Sequence, residues 1–190
     1  MILLLRHGQT VWNRDGRVQG QHDSPLTALG EAQAARMAAC CARLVEEARG
    51  DWQLVASPSG RAQQTAAYVA EATGLAVQPD ARLLDVGCGA WEGRLYDEVA
   101  AEHPEHFAAH WLYGAPGGET FEDVHRRAAD WLAAQGPEPD RRVIVVGHGA
   151  WGRHLRAAYA GLPRDVLMRL PVPQDALFRL VGGDIRAMPT

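Results

Sequence analysis

The chain predicts an α/β fold: a three-layer α/β/α arrangement whose central sheet is mostly parallel. Three observations carry that expectation. Short apolar runs at 2–5, at 54–56 and within 141–146 read as strands buried on both faces. Ala-rich stretches of helix length lie between them, so strands alternate with helices. The length, 190 residues, suits one domain spanning 1–190.

The elements follow in order. The strand at 2–5 gives way to a loop over 6–25, rich in Gly, Asn, Asp and Gln. Thr27 caps a helix that runs to Arg49, with Gly50 just beyond its end. The strand at 54–56 passes through Ser57-Pro58-Ser59 into a helix, 60–73, which Gly74 stops. A weaker strand lies at 76–78. Residues 83–93 hold three Gly and form a shaped loop. A helix over 96–113 is broken at Pro104, 115–118 turns, and 119–135 is an amphipathic helix. The strand within 141–146 ends at Gly147-His148-Gly149, where a helix over 150–160 begins. Two tail strands, 176–181 and 184–188, are joined by Gly182-Gly183, a hairpin signal.

Composition excludes several classes. With 47% hydrophobic and 22% charged residues, the chain is neither disordered, collagen-like nor a coiled coil. A net charge of −4 leaves no global basic footprint for nucleic acid. The first apolar run ends at Arg6, too short for a signal-peptide core or a membrane span, so no membrane partner is expected. Cys40, Cys41 and Cys88 are odd in number and lack metal-ligand spacing, which points to the cytoplasm. All 19 basic residues are Arg, whose planar fork suits phosphate. The Ala-rich helix after Thr27 could serve as a homodimer face.

Two His follow the ends of buried strands, in Arg6-His7-Gly8 and Gly147-His148-Gly149. Ligands in open α/β sheets bind beyond the carboxyl ends of strands, so both His are expected at one edge. Arg61, early in the helix after the second strand, reaches that edge, where a helix N-terminus adds N–H donors. Two Arg and two His together make a site for a phosphate dianion. A neutral imidazole can attack phosphorus. A second, charged His would stabilise the oxygens of the transferring group. Gly8, Gly147 and Gly149 are expected to let the backbone approach the phosphate.

These residues stand in a longer pattern. It runs through Leu4-Leu5-Arg6-His7-Gly8-Gln9-Thr10, Trp12-Asn13, Gly16-Arg17-Val18-Gln19-Gly20 and Asp23-Ser24-Pro25-Leu26-Thr27. Ala56-Ser57-Pro58, Arg61-Ala62-Gln63-Gln64-Thr65-Ala66, Gly89-Ala90-Trp91-Glu92-Gly93, Pro116-Gly117-Gly118-Glu119-Thr120 and Val146-Gly147-His148-Gly149 follow. In these motifs and their order, nearly the whole chain resembles the histidine phosphatase (phosphoglycerate-mutase-like) superfamily. The resemblance implies a phosphoglycerate-mutase-like fold with helices on both faces of the sheet, and no metal or organic cofactor. It implies that His7 is the nucleophile that becomes a phosphohistidine, with Arg6, Arg61 and His148 around the phosphate. Asn13, Gln19, Gly20 and Gly149 then belong to the substrate-binding set.

One departure concerns the general acid. The family usually places a Glu seven residues before the Glu of Trp-Glu-Gly, and here that position is Asp85. Asp is shorter by one methylene, roughly 1.5 Å. It must hold a proton against a reference pKa of about 3.9, which burial would raise. Glu92 is the alternative acid. The mutases of the family carry an extra basic insert, whereas Arg94 is the lone Arg or Lys between Gly93 and Gly117. Tyr96, Phe107, Trp111 and Tyr113 suggest an apolar lid there. The expected function is a metal-independent phosphatase acting on a small phosphomonoester, such as a sugar phosphate or α-ribazole phosphate, through a phosphohistidine. The alternatives are phosphoglycerate-mutase-type phosphoryl transfer and a non-catalytic phosphate-binding module.

Other patterns compete less well. Cys88 to Arg94 has the Cys-x5-Arg spacing of cysteine phosphatases, but Glu92 inside it would repel phosphate. His103, His106 and His110 share a helix face only if the helix passes Pro104; such spacing could bind zinc, though a solvated face is the plainer expectation. His125, His154, Arg126 and Arg127 are expected on solvated helix surfaces, and His22 near the pocket rim.

Overall fold

The computed structural model describes residues 1–109 and 113–190, the side chains of 107–109 excepted. Its strands are β1 (Ile2–Arg6), β2 (Gln53–Ala56), β3 (Val77–Pro79), β4 (Val143–Gly147), β5 (Ala176–Val181) and β6 (Asp184–Pro189). Its helices are α1 (Val11–Arg14), α2 (Ala28–Glu47), α3 (Gly60–Thr73), α4 (Tyr96–Glu102), α5 (Pro104–Ala109), α6 (Phe121–Ala133), α7 (Gly149–Ala160) and α8 (Arg164–Leu167). The strands form one sheet in the order β3-β2-β4-β1-β5-β6. The first four run parallel, and the β5–β6 hairpin is antiparallel at one edge.

The period-two alternation of each buried strand divides the core between the two faces. Leu3, Leu5, Leu54, Ile144 and Val146 pack with Met37 and Cys41 of α2 and Val69 of α3. Ile2, Leu4, Val143 and Val145 pack on the other face with Trp131 of α6 and Trp151 and Leu155 of α7. Each large aliphatic side chain buried this way contributes about 1.5–3 kcal/mol, so both helical layers are tied to β1 and β4. No described helix is long and apolar enough to cross a membrane.

Local chemistry sets the element ends. The Thr27 side chain accepts from Gly30 N–H and starts α2, and Gly74, at φ 73°, stops α3 in the left-handed region. Gly8 and Gly30 let the chain leaving β1 cross the first turn of α2. A Cβ on Gly8 would stand 2.2 Å from the Gly30 carbonyl oxygen, and one on Gly30 2.0 Å from that of Gln9. Gly8 is therefore held to glycine by its packing against the first turn of α2.

The structure departs from the sequence reading in several places. The 6–25 loop contains α1, started by a Thr10–Asn13 capping box. A short helix, α8, precedes the tail strands. Pro104 does begin a new helix, while 110–112 of the expected 96–113 helix lie outside the described residues. His154 is fully buried, because α7 is covered by α6 on the side that Trp151 and Leu155 also face. Arg127 is not a solvated charge either, as its contacts below show.

Candidate active site

The register of β1 on β4 brings the two histidines together. Arg6 pairs with Gly147, and His7 N–H donates to the Gly147 carbonyl at 3.0 Å. The next residues, His7 and His148, place their ring centroids 5.2 Å apart. On the other side of β4, Ser57 leaves β2 and α3 starts, so Arg61 enters from a helix N-terminus.

His7 Nδ1 lies 2.7 Å from the Gly8 carbonyl oxygen. A carbonyl only accepts, so Nδ1 carries the proton and Nε2 holds the lone pair. Arg61 Nε–H donates to that lone pair at 3.3 Å. Burial first, then Arg61 and Arg6, keep the His7 pKa well below that of an ordinary imidazole. His7 is therefore held as a neutral imidazole whose lone pair lies on Nε2. The rest of the Arg61 fork donates to the His22 and Gly20 carbonyls at 2.7 and 2.8 Å and to Asp23 Oδ1 at 3.2 Å. His22 thus meets the site through its main chain.

His148 Nε2 is 2.8 Å from Ser57 Oγ and 3.4 Å from Ser59 Oγ. Its Nδ1 is buried, has no hydrogen-bond partner among the described residues and lies 3.9 Å from Asp85 Oδ2. Burial, Arg61, His7 and Arg6 hold its pKa well below the usual value. Asp85 Oδ1 accepts from Trp151 N–H at 3.3 Å, in the first turn of α7. Burial pushes the Asp85 carboxyl up, against the pull of Arg61. That is the direction a proton donor needs.

A cleft of about 400 Å³ opens over these groups. Arg6, Asn13, Gln19, Gly20, Asp85 and Gly149 line it. His7, Arg61 and His148 lie behind the wall, His7 being 2% exposed. Asn13 Nδ2 and Thr10 Oγ donate to Gln19 Oε1 at 3.3 and 3.0 Å, which turns the amide of Gln19 so that its N–H groups remain. Gln19 Nε2 and Arg6 Nε are buried donors without a partner among the described residues. The site is thus rich in unspent donors, the arrangement an oxyanion satisfies.

Glu92 is occupied elsewhere. Its carboxylate accepts from the N–H groups of Cys88, Gln21 and His22 at 2.8, 2.9 and 3.2 Å and ties the two loops together. Gly20, at φ +55°, is packed so closely on it that a Cβ would stand 2.1 Å from Glu92 Oε1. The Cys88 amide is consumed there and burial drives its thiol pKa up, the opposite of what a cysteine phosphatase requires. Arg94 pairs with Glu102 instead.

Several contributors carry no motif. The segment 170–174 is a strap whose successive carbonyls hold three arginines. Leu170 accepts from Arg153 Nε, Pro171 from Arg156 and Val172 from Arg6, at 2.7, 2.7 and 2.5 Å. Gln174 then donates to the His7 carbonyl and to Asn13 Oδ1 at 3.2 and 3.1 Å. Pro171 and Pro173 were the available signal, since proline favours an extended backbone. Of the expected lid, Tyr96 lines the cleft and Tyr113 instead hydrogen-bonds His154 at 2.6 Å, while Trp111 and the Phe107 side chain lie outside the described residues. His103, Glu105 and His106 bring ligand atoms within 4.8 Å of one another at the α4–α5 junction; His110 lies outside the described residues.

The motif order, the paired histidines and the Arg-lined cleft agree with one family model, the histidine phosphatase superfamily (branch 1), which matches residues 2–185. The chain belongs to that superfamily. Membership makes it a histidine phosphatase fold and a hydrolase of the phosphomonoesterase kind. Among similar proteins is one named "Probable phosphoglycerate mutase GpmB" from Yersinia enterocolitica, 34% identical over 94% of this chain and 83% of its own. A mycobacterial glucosyl-3-phosphoglycerate phosphatase, solved with VO3, is 33% identical and has a TM-score of 0.78, covering 100% of this chain and 96% of its own. YhfR of Bacillus stearothermophilus is 31% identical with a TM-score of 0.80, over 99% of this histidine phosphatase and 95% of its own chain.

Proposed function

We propose that this histidine phosphatase hydrolyses a small phosphomonoester without a metal ion, through a phosphohistidine on His7. One observation carries the reading: a neutral His7, its Nε2 lone pair held toward Arg61, beside a cleft with unspent donors on Arg6 and Gln19. Arg6 and Arg61 supply positive charge where charge develops on the transferring oxygens.

His7 Nε2 attacks phosphorus in line with the ester oxygen, and the P–O bond to the leaving group breaks. Protonated Asp85 gives its proton to the departing alkoxide. His148 donates to an equatorial oxygen from Nδ1. Ionised Asp85 then takes a proton from water as that water attacks the phosphohistidine, releasing phosphate and restoring both groups. Asn13, Gln19, Gly20 and Gly149 shape the pocket for the ester.

The mycobacterial glucosyl-3-phosphoglycerate phosphatase supports hydrolysis, and GpmB names the mutase alternative. Cys40, Cys41 and Cys88 are free thiols, which suits work in the reducing cytoplasm. The test is phosphate release from an aryl phosphate in excess chelator. Turnover that disappears in His7→Ala supports phosphohistidine hydrolysis. Turnover indifferent to His7 overturns the phosphohistidine mechanism, and no turnover at all favours a non-catalytic phosphate-binding module.

A further inference from the structure

The junction of α4 and α5 gathers metal-ligating side chains outside the cleft. His103 ends α4, its N–H donating to the Val99 carbonyl at 3.0 Å, and Pro104, whose fixed φ suits a first helical position, opens α5. His106 N–H donates back to the His103 carbonyl at 3.1 Å and closes the turn. Both imidazole rings pack on the buried Trp91, with centroids 5.4 and 5.7 Å from it and 5.9 Å from each other. The main chain at Gly114 covers His106 Nδ1 so closely that a Cβ there would stand 2.4 Å away. His106 is thereby left with Nε2 for a ligand. Packing sets these two rings, which a freely solvated helix face would not do.

Glu105 reaches between them. Its Oε1 lies 3.7 Å from His103 Nδ1 and 3.5 Å from His106 Nε2. Each of the three residues places a ligand atom within 4.8 Å of the other two. The two carboxylate contacts are long for hydrogen bonds. They are close to the roughly 3.3 Å between neighbouring ligand atoms around a tetrahedral ion with bonds of about 2.0 Å. Two imidazoles and one carboxylate suit zinc, with water in the fourth position, whereas magnesium and calcium take all-oxygen shells.

We infer that His103 Nδ1, Glu105 Oε1 and His106 Nε2 form a zinc site at the junction of α4 and α5. A zinc ion there ties the end of α4 to the first turn of α5, above Trp91. None of the three residues lines the cleft. The ion is therefore a structural cation, no step of hydrolysis passes through it, and the inference stands independently of the phosphatase reading.

Calorimetric titration of the intact, chelator-stripped chain with Zn²⁺ tests it. One ion per chain should bind with a Kd below about 10 μM, and Mg²⁺ should not compete. Co²⁺ in its place should give the strong visible absorption of a four-coordinate ion. His103→Gln and His106→Gln should each weaken zinc at least about tenfold and remove both the Co²⁺ absorption and the zinc-dependent rise in melting temperature. Melting without zinc shows whether each variant folds. Glu105→Gln, at an exposed carboxylate, carries the same tenfold expectation should a histidine variant fail to fold. His7→Ala should bind zinc as the wild type does, which separates this site from the histidines at the cleft. A Kd above about 10 μM, affinity unchanged in the His103, Glu105 and His106 variants, or loss of binding in His7→Ala overturns the inference.

Discussion

Arg127 Nη2 donates to the main-chain carbonyl of Asp85 at 3.2 Å. The same nitrogen pairs with Glu119 at 2.8 and 3.0 Å, while Nη1 donates to the Leu84 and Arg82 carbonyls at 2.5 and 2.9 Å. One guanidinium on α6 therefore fixes the backbone that carries the proposed acid, and Glu119 holds the next turn through Gly87 N–H at 2.8 Å. Arg127 is a positioning residue. In Arg127→Ala, kcat on an alkyl phosphate should fall about tenfold more than on an aryl phosphate, because an aryl oxide leaves without a proton. Buried carbonyls and Glu119 would lose their partner, at a cost of about 1–3 kcal/mol, readable as a lower urea midpoint. Equal loss on both esters would argue against the positioning role.

Asp85→Asn removes the proton without changing shape. In kcat/KM, which reports formation of the phosphohistidine, the alkyl phosphate should lose on the order of 10²–10⁴-fold and the aryl phosphate far less, and Asp85→Glu should retain activity. The pH profile carries the sign. The Asp85 pKa is raised and the acid form is the active one, so alkyl phosphate hydrolysis should fall as pH rises through that pKa. The His7 pKa is lowered, so the nucleophile stays neutral below the ordinary imidazole range. An alkaline limb for alkyl esters that flattens for aryl esters is the expected result in steady-state assays.

His154 makes stability depend on pH. It is buried against Phe121 and Tyr113, and burial brings its pKa down to about 3 from 6.5. A base with a depressed folded pKa stays neutral when folded but takes up a proton when unfolded. Its contribution is therefore full above about pH 6.5 and is lost progressively as pH falls toward 3. His7 and His148 act in the same direction. The melting temperature should fall between pH 7.5 and 5, and His154→Gln should show a shallower fall when scanned by calorimetry.

Gly30→Ala tests the crossing between the β1 loop and α2. The added Cβ would meet the Gln9 carbonyl oxygen at 2.0 Å and the Gln9 nitrogen at 2.8 Å, both backbone atoms. Because the backbone has no rotamer with which to move aside, the cost should be about 3 kcal/mol or more, seen as a drop in the urea midpoint. Gly74→Ala, with nothing within 4 Å and only the left-handed φ to strain, should cost about 1–2 kcal/mol by the same measurement.

His7, His148, Arg6 and Arg61 were legible in the sequence because each sits at the end of a local signal. A short apolar run stops, a helix starts, and parallel strands put those stops on one edge. The hairpin and the caps at Thr27 and Gly74 follow from equally local patterns. Arg127 and His154 read as solvated helix residues, since an amphipathic helix shows its stripe but not which neighbour will cover the flank. Their roles came from the 82–87 loop crossing α6 and from α6 packing on α7. The strap at 170–174 was harder still. It works through main-chain carbonyls, which every residue possesses, so little in the side chains announces it. The sequence by itself determined the α/β sheet and the four groups proposed to handle phosphate. The tertiary structure alone decided the tautomer of His7, the tethering of Arg6 and Arg153, and the loop amides that occupy the Glu92 carboxylate. Those depend on which backbone oxygens and N–H groups come within 3 Å or so after distant segments meet, and hydrogen-bonding reach is a property of space, not of spacing along the chain.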